Sequence, residues 1–205
     1  MSAHVLTHKG QTLETPSFIN LVFSDKRFSI LWLAVRVWLG WQWIEAGWHK
    51  VTNPAWMQTG EALKGFWMGA VKIPAEGRPA IAFDWYRTFL QAGLDAQAYT
   101  WLAKIISVSE VLIGVALIVG IFVGLTAFFG GFMNWNFIMA GSASVNGVFF
   151  GLSVLLVLAW KIAGYLGADY FLLPRVADLW TTNKDIDSST RIESADNLRA
   201  VETPL

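Results

Sequence analysis

The chain contains no cysteine. Disulfide relays, thiolate metal sites and cysteine-ligated iron–sulfur clusters are therefore excluded in it. Histidine is nearly as scarce: His4, His8 and His49 are the only three, and only His49 lies near a long apolar segment. A haem held by two intramembrane histidines is not available and no zinc-like spacing occurs, so no haem, cluster or metal is expected. Net charge is also lacking, since 15 basic residues balance 15 acidic ones, which leaves no electrostatic case for nucleic acid. No glycine-rich phosphate loop follows a strand pattern. No basic start leads directly into an apolar core, so no cleaved signal peptide is expected.

What the chain does have is apolar and aromatic bulk. It is 55% hydrophobic with 12 tryptophans in 205 residues, the composition of a polytopic membrane protein whose surroundings are lipid. One stretch, Arg36 to Lys50, organises the rest. It lies in an apolar segment, 28–51, long enough to span a bilayer, since roughly 20 residues suffice. At about 100° per residue, Arg36, Gly40, Trp43, Gly47 and Lys50 share a helical face. The two glycines let another helix approach closely. An arginine two turns inside hydrocarbon costs about 2.5–3.5 kcal/mol unless paired. A partner helix is therefore expected to answer Arg36. The alternative is that the charges only lock helix register.

Residues 1–27 read as a polar N-terminal segment, with Ser24 or Asp25 starting the first helix. Asn53-Pro54 ends that helix. Residues 52–98 mix Trp56, Trp67, Trp85, Phe66, Tyr86 and Phe89 with regularly spaced charges, and two short amphipathic helices are expected near 55–70 and 84–97. Rings alternating with charge suit the headgroup layer, so the segment reads as a cap on one membrane face. From Ile105 to Trp160 the only charged residue is Glu110. Helices are expected there over about 100–120, 124–141 and 147–168, with breaks at 120–124 and 141–147. The fold class is thus all-α: a four-helix transmembrane bundle over 28–175 with an interfacial cap between helices 1 and 2. Residues 176–205 form a polar C-terminal tail, low in hydrophobicity from about 183. Four spans put both termini on one face, but flanking Lys and Arg are balanced and do not orient the chain.

Depths estimated from helical rise place Arg36 and Glu110 both near mid-membrane, with Asn134 level and Asn136 close by. An Arg36–Glu110 pair follows as an expectation. A second polar layer lies toward the cap: Glu45, His49 and Lys50 on helix 1, and Asn146 at the start of helix 4. That layer has what a quinone headgroup requires: donors for two carbonyl oxygens, aromatic walls, and a group able to move protons. His49 is the natural carrier at neutral pH.

These residues resemble the DoxX family of four-helix membrane proteins. Arg36-x3-Gly40-x6-Gly47-x2-Lys50 looks like its first-helix signature, and Glu110-x3-Gly114-x5-Gly120 like its second. Gly60 to Trp67, Gly77-Arg-Pro with Asp84-Trp-Tyr-Arg87, Asn136 to Asn146 and Ala159 to Asp169 resemble a subgroup close to DoxD. Gly124 departs from the pattern, standing where many relatives carry a basic residue. The resemblance implies the membrane subunit of a thiosulfate:quinone oxidoreductase, which passes electrons from thiosulfate to membrane quinone. It also implies a multi-pass protein of the cell membrane with cytoplasmic termini and an extracytoplasmic cap. Any small second subunit would be a separate chain, so other membrane or extracytoplasmic subunits are expected partners. In this reading Glu45 and His49 are the catalytic pair. Arg36, Lys50, Glu110, Asn134, Asn136 and Asn146 shape the quinone cavity, and Lys50 and Arg78 attract the anion. A competing reading is a non-catalytic scaffold subunit of a respiratory or photosynthetic complex. A small transporter is a weaker third, because no span is interrupted at mid-membrane.

Overall fold

The computed structural model describes residues 16–178. Every regular element among the described residues is helical. The N-terminal segment is not wholly irregular: α1 (Ser17–Ser24) precedes a 3-10 turn (Lys26–Phe28) and α2 (Ser29–Val51). The Asp25 carboxylate accepts from the Arg27 N–H at 2.8 Å, which caps the turn. Apolar residues of α1 dock on α2, where the Trp32 indole donates to the Val22 carbonyl at 2.8 Å. Residues 1–15, and the tail expected from about 183, lie outside the described residues.

The cap forms as three helices, α3 (Pro54–Met57), α4 (Glu61–Val71) and α5 (Asp84–Asp95). Asn53 caps α3 through its side chain at 2.9 Å from the Ala55 N–H, with Pro54 at the first helical position. Leu63, Trp67, Ala70, Ile81, Tyr86 and Leu90 are buried here with Tyr99 and Ala103, so the cap has a core of its own.

Three long helices follow: α6 (Tyr99–Val119), α7 (Val123–Met139) and α8 (Ser144–Leu158). The closest packing is between α2 and α6 and between α7 and α8. Small residues explain the first pair. A Cβ on Gly40 would stand 2.8 Å from the Gly114 carbonyl oxygen, and one on Gly47 2.8 Å from the Val111 nitrogen. The two backbones are therefore in contact, as the spacing on α2 foretells. Gly131 on α7 makes room for the Ser153 side chain of α8, with a Cβ there standing 3.1 Å from that of Ser153.

The fourth segment differs from the expected 147–168 helix. It stops at Leu158, resumes as α9 (Trp160–Ala163), turns at 164–168 and is helical again over 169–178. The turn is held by non-local bonds, Ala168 N–H to Val119 O at 3.1 Å and Asp169 N–H to Gly120 O at 2.9 Å. Gly124, the departure noted above, takes the Trp160 side chain against its bare backbone.

One helix among the described residues, Tyr99–Val119, is long and apolar enough to cross a membrane. The 23-residue α2 has the length but carries Arg36, Glu45 and Lys50. The 17-residue α7 and the 15-residue α8 are shorter.

Candidate functional site

The site begins with the α2–α6 contact. Because Gly47 lies against Glu110 and Val111, Lys50, one turn further along α2, reaches the same carboxylate. The Lys50 ammonium donates to Glu110 Oε1. The glutamate is 1% exposed and the lysine 19%. The ammonium also stands over two rings, 5.0 Å from the centre of Trp56 and 5.2 Å from that of Phe137, within cation–π range. A charge this deep is tolerated only with such partners.

This pair borders a chamber of about 270 Å³. Gln42, Trp43 and Ala46 of α2 form one wall, with Trp56 and Phe66 of the cap above; Asn134 and Phe137 of α7 and Asn146 and Phe149 of α8 close it. Three buried polar atoms on its walls lack a protein partner: Glu110 Oε2, Asn134 Nδ2 and the Trp43 indole nitrogen. Each such atom costs about 1–3 kcal/mol if left unsatisfied. None of the three opens onto the free space, and the Trp43 nitrogen lies against Gly130 of α7. The polar side chains of Gln42, Lys50, Asn134 and Asn146 around an aromatic-walled space suit a flat polar guest with carbonyl oxygens.

A second, apolar cleft of about 550 Å³ lies beside the chamber, between α6 and α7 and under α4 and α5. Phe66 and Phe137 line both spaces. The Tyr86 hydroxyl donates in the cleft toward the Asn136 backbone oxygen at 3.0 Å and Oδ1 at 3.1 Å. Burial pushes the Tyr86 phenol up to about 12, so it remains a donor at any physiological pH.

No family model, curated protein or solved structure matches the chain. The geometry of the site therefore carries the functional argument.

That geometry corrects several expectations. Arg36 does not pair with Glu110. The Gly40–Gly114 contact sets the helix register and puts Gly47, not Arg36, level with Glu110. Eleven residues separate positions 36 and 47, about 16 Å along a helix, beyond the reach of the two side chains. Arg36 instead donates from Nη2 to the Leu166 carbonyl at 2.9 Å, with Gly120 and Gly167 packed on the guanidinium. Asp169 lies close enough to act on it electrostatically. Asp169 itself accepts from the Phe122 N–H at 2.6 Å and the Val123 N–H at 2.8 Å, so it caps α7 from 46 residues away. Arg36 is therefore no part of the chamber.

Glu45 and His49 are not in the chamber either. Both are exposed on the outer face of α2, beside Trp41 and Trp48. Lys50, Glu110, Asn134 and Asn146 do come together. Asn136 faces the apolar cleft, not the chamber. Arg78 is exposed in the loop before α5, and Lys50 is committed to Glu110, so the two do not form a joint anion site. Sequence reasoning missed Trp43, Gln42 and Trp56 as walls, and Asp169 as the partner of the Arg36 corner. Trp43 was legible, since it lies seven residues before Lys50 on the same helical face. Asp169 carried no local signal.

Proposed function

We propose that the chain is a four-span protein of the cell membrane, similar to the DoxX family, that binds quinone in the chamber beside Lys50 and Glu110. It would serve as the membrane subunit of an oxidoreductase that reduces quinone with electrons from thiosulfate. The observation that carries this reading is the Lys50–Glu110 pair, its carboxylate buried, on an aromatic-walled chamber. Exposed apolar side chains support the membrane reading. Ile30 and Trp41 on α2, Ile105 and Leu112 on α6, Leu125 and Phe128 on α7, and Val148 and Leu158 on α8 all point outward. So much outward apolar surface on four helices marks contact with lipid or protein, not water. Orientation follows from the resemblance: cap outside, termini cytoplasmic.

In this mechanism two thiosulfate ions join through a new S–S bond into tetrathionate at the cap face and release two electrons. The exposed Arg78 and Lys72 supply positive charge there. Quinone in the chamber takes up two electrons and two protons. The Asn134 amide, turned toward the guest, would hold a carbonyl oxygen, and the Lys50–Glu110 pair passes the protons. This assigns to Lys50 and Glu110 the role that residue type alone suggests for His49.

The test is thiosulfate-dependent quinone reduction by membranes with the chain, without it, and with Glu110→Gln. The expected result is activity with the wild-type chain only. Equal rates in all three would sink the reading. A tag placed on the C-terminus should be inaccessible from outside intact cells.

One observation favours a second reading. The outer face of α2 presents Glu45 among exposed tryptophans, toward the cap-side end of the helix, and a carboxylate facing lipid is unfavourable unless a partner answers it. A neighbouring subunit on that face would answer it, as in a scaffold subunit of a larger assembly. Protein purified without quinone, its cap buried in another subunit, would favour that alternative.

A further inference from the structure

We infer that the cleft between α6 and α7 holds the isoprenoid tail of the same quinone whose headgroup occupies the polar chamber. The inference rests on the quinone reading of the chamber and extends it to a second, chemically different site. Size is the first reason. The chamber, at about 270 Å³, falls just below the roughly 300–1,000 Å³ of small-molecule pockets. It accommodates a ring and leaves no room for a long chain. A ligand seated there must send the rest of its length elsewhere.

Continuity says where. Phe66 and Phe137 stand between chamber and cleft and line both. The cleft is the larger space, about 550 Å³, and its outer lips are the exposed side chains Ile105, Leu112, Phe129 and Phe132. These two rings pack edge to face, 6.2 Å between centres, so a chain leaving the chamber would pass beside the pair, run along the cleft and leave between α6 and α7.

Chemistry says what kind of chain. The polar groups of Tyr86 and Asn136 in the cleft are already paired. Tyr86 donates to Asn136, and Asn136 Nδ2 donates to the Phe132 carbonyl at 2.8 Å. The chamber is lined by Gln42, Lys50, Glu110, Asn134 and Asn146 among its rings, and the cleft has aromatic and branched apolar walls. That division matches a molecule with a carbonyl-bearing head and a hydrocarbon tail. The roof also fits: α4 and α5 contribute Leu63, Trp67 and Leu90, so the cap would close over the tail as well as the head.

The lack of cysteine makes the test direct, because any introduced thiol is unique. Three variants are reconstituted separately in liposomes: Ala46→Cys in the chamber, Ser109→Cys in the cleft and Val148→Cys on the exposed face of α8. Labelling by a membrane-permeant bimane is timed alone, with long-chain ubiquinone or menaquinone, and with tailless duroquinone. A long-chain quinone is expected to slow labelling at Ala46→Cys and Ser109→Cys by at least fivefold and at Val148→Cys by less than twofold. Duroquinone is expected to protect Ala46→Cys only. Protection of Ala46→Cys without protection of Ser109→Cys by a long-chain quinone would overturn the tail site and leave the quinone reading standing. It would mean that ordinary acyl chains keep the cleft. Equal protection of Ser109→Cys by duroquinone would also overturn it, by placing a headgroup in the cleft. No protection at Ala46→Cys by any quinone would remove the quinone reading and the tail site together.

Discussion

Two cations on one helix face behave in opposite ways. Arg36 and Lys50 lie 14 positions apart on α2. Arg36 sits in a closed corner, with backbone packed on its guanidinium from Gly120 and Gly167 and a carbonyl as its acceptor. Its nearest carboxylate, Asp169, is occupied by two backbone N–H groups of α7. Lys50 sits on the wall of a cavity that Glu110, Asn134 and Trp43 also line. The difference teaches how to tell a structural charge from a working one. Burial differs, Arg36 being 1% exposed and Lys50 19%, but partial exposure alone marks no function. What separates them is the surroundings: the Arg36 corner is filled by backbone, and Lys50 borders a cavity.

The sharpest way to break that comparison is Lys50→Met. It leaves the Glu110 carboxylate buried with no counter-charge, which typically costs about 3–5 kcal/mol. The variant is expected to lose much of its thermal stability in detergent and all quinone reduction. The double variant Lys50→Met with Glu110→Gln should recover most of the stability and none of the activity. If the double variant still reduces quinone, the pair belongs with Arg36 as a structural device.

Arg36→Met comes next. It strands the Leu166 carbonyl, at about 1–3 kcal/mol for an unmade buried bond, but also removes two guanidinium nitrogens that lack partners. A net loss of about 1–2 kcal/mol is expected, with quinone reduction unchanged per folded molecule. A fall in KM-corrected activity of tenfold or more would show that the corner communicates with the chamber.

Asn134→Leu sharpens the comparison in the other direction. The amide nitrogen of Asn134 has no protein partner, so an apolar side chain of similar volume should leave stability unchanged or raise it. Quinone affinity should fall about tenfold, the equivalent of 1.4 kcal/mol. Stability and function would then pull apart at one residue, as expected where a polar group is kept for a ligand. A loss of stability without loss of affinity would place Asn134 with the structural groups.

The parts of the fold that depend on local chemistry were legible in the sequence. Gly40 and Gly47 announced a close helix partner, Asn53-Pro54 announced the end of α2, and the mixed rings and charges of 52–98 announced a helical cap. The parts that depend on register were not. A depth counted from each helix end assumes level helices, and the Gly40–Gly114 contact offsets them so that Glu110 meets Lys50. The turn at 164–168, which delivers Leu166 and Asp169 to the Arg36 corner, is a tertiary event that no local pattern records. The outward placement of Glu45 could have been read. Two residues from Trp43 is about 200° around the helix, so the arithmetic that groups Trp43 with Lys50 also sets Glu45 on the opposite side.

His49→Phe is expected to have the smallest effect, and the reason follows from the same wheel. His49 lies six residues after Trp43, about 120° from it on a helix, and its side chain is exposed beside Trp48. Among the described residues it forms no ion pair. Residue type alone would make it the proton carrier, because histidine is the side chain that most often moves protons at neutral pH. A proton donor must nevertheless stand within about 2.6–3.2 Å of the atom it serves, directly or through one water. The chamber wall nearest His49 in sequence belongs to Ala46 and Lys50, which face inward where it faces out. Exchange of an exposed side chain usually changes stability by no more than about 0.5 kcal/mol, and phenylalanine suits an apolar exterior. Quinone reduction by His49→Phe should stay within about twofold of wild type across pH 5–8, since loss of a working general acid costs 10²–10⁴-fold. A drop of tenfold or more that follows pH between 6 and 7 would mean that α2 turns its outer face to the ligand during turnover, and that the distinction between open and closed charges misses where the protons enter.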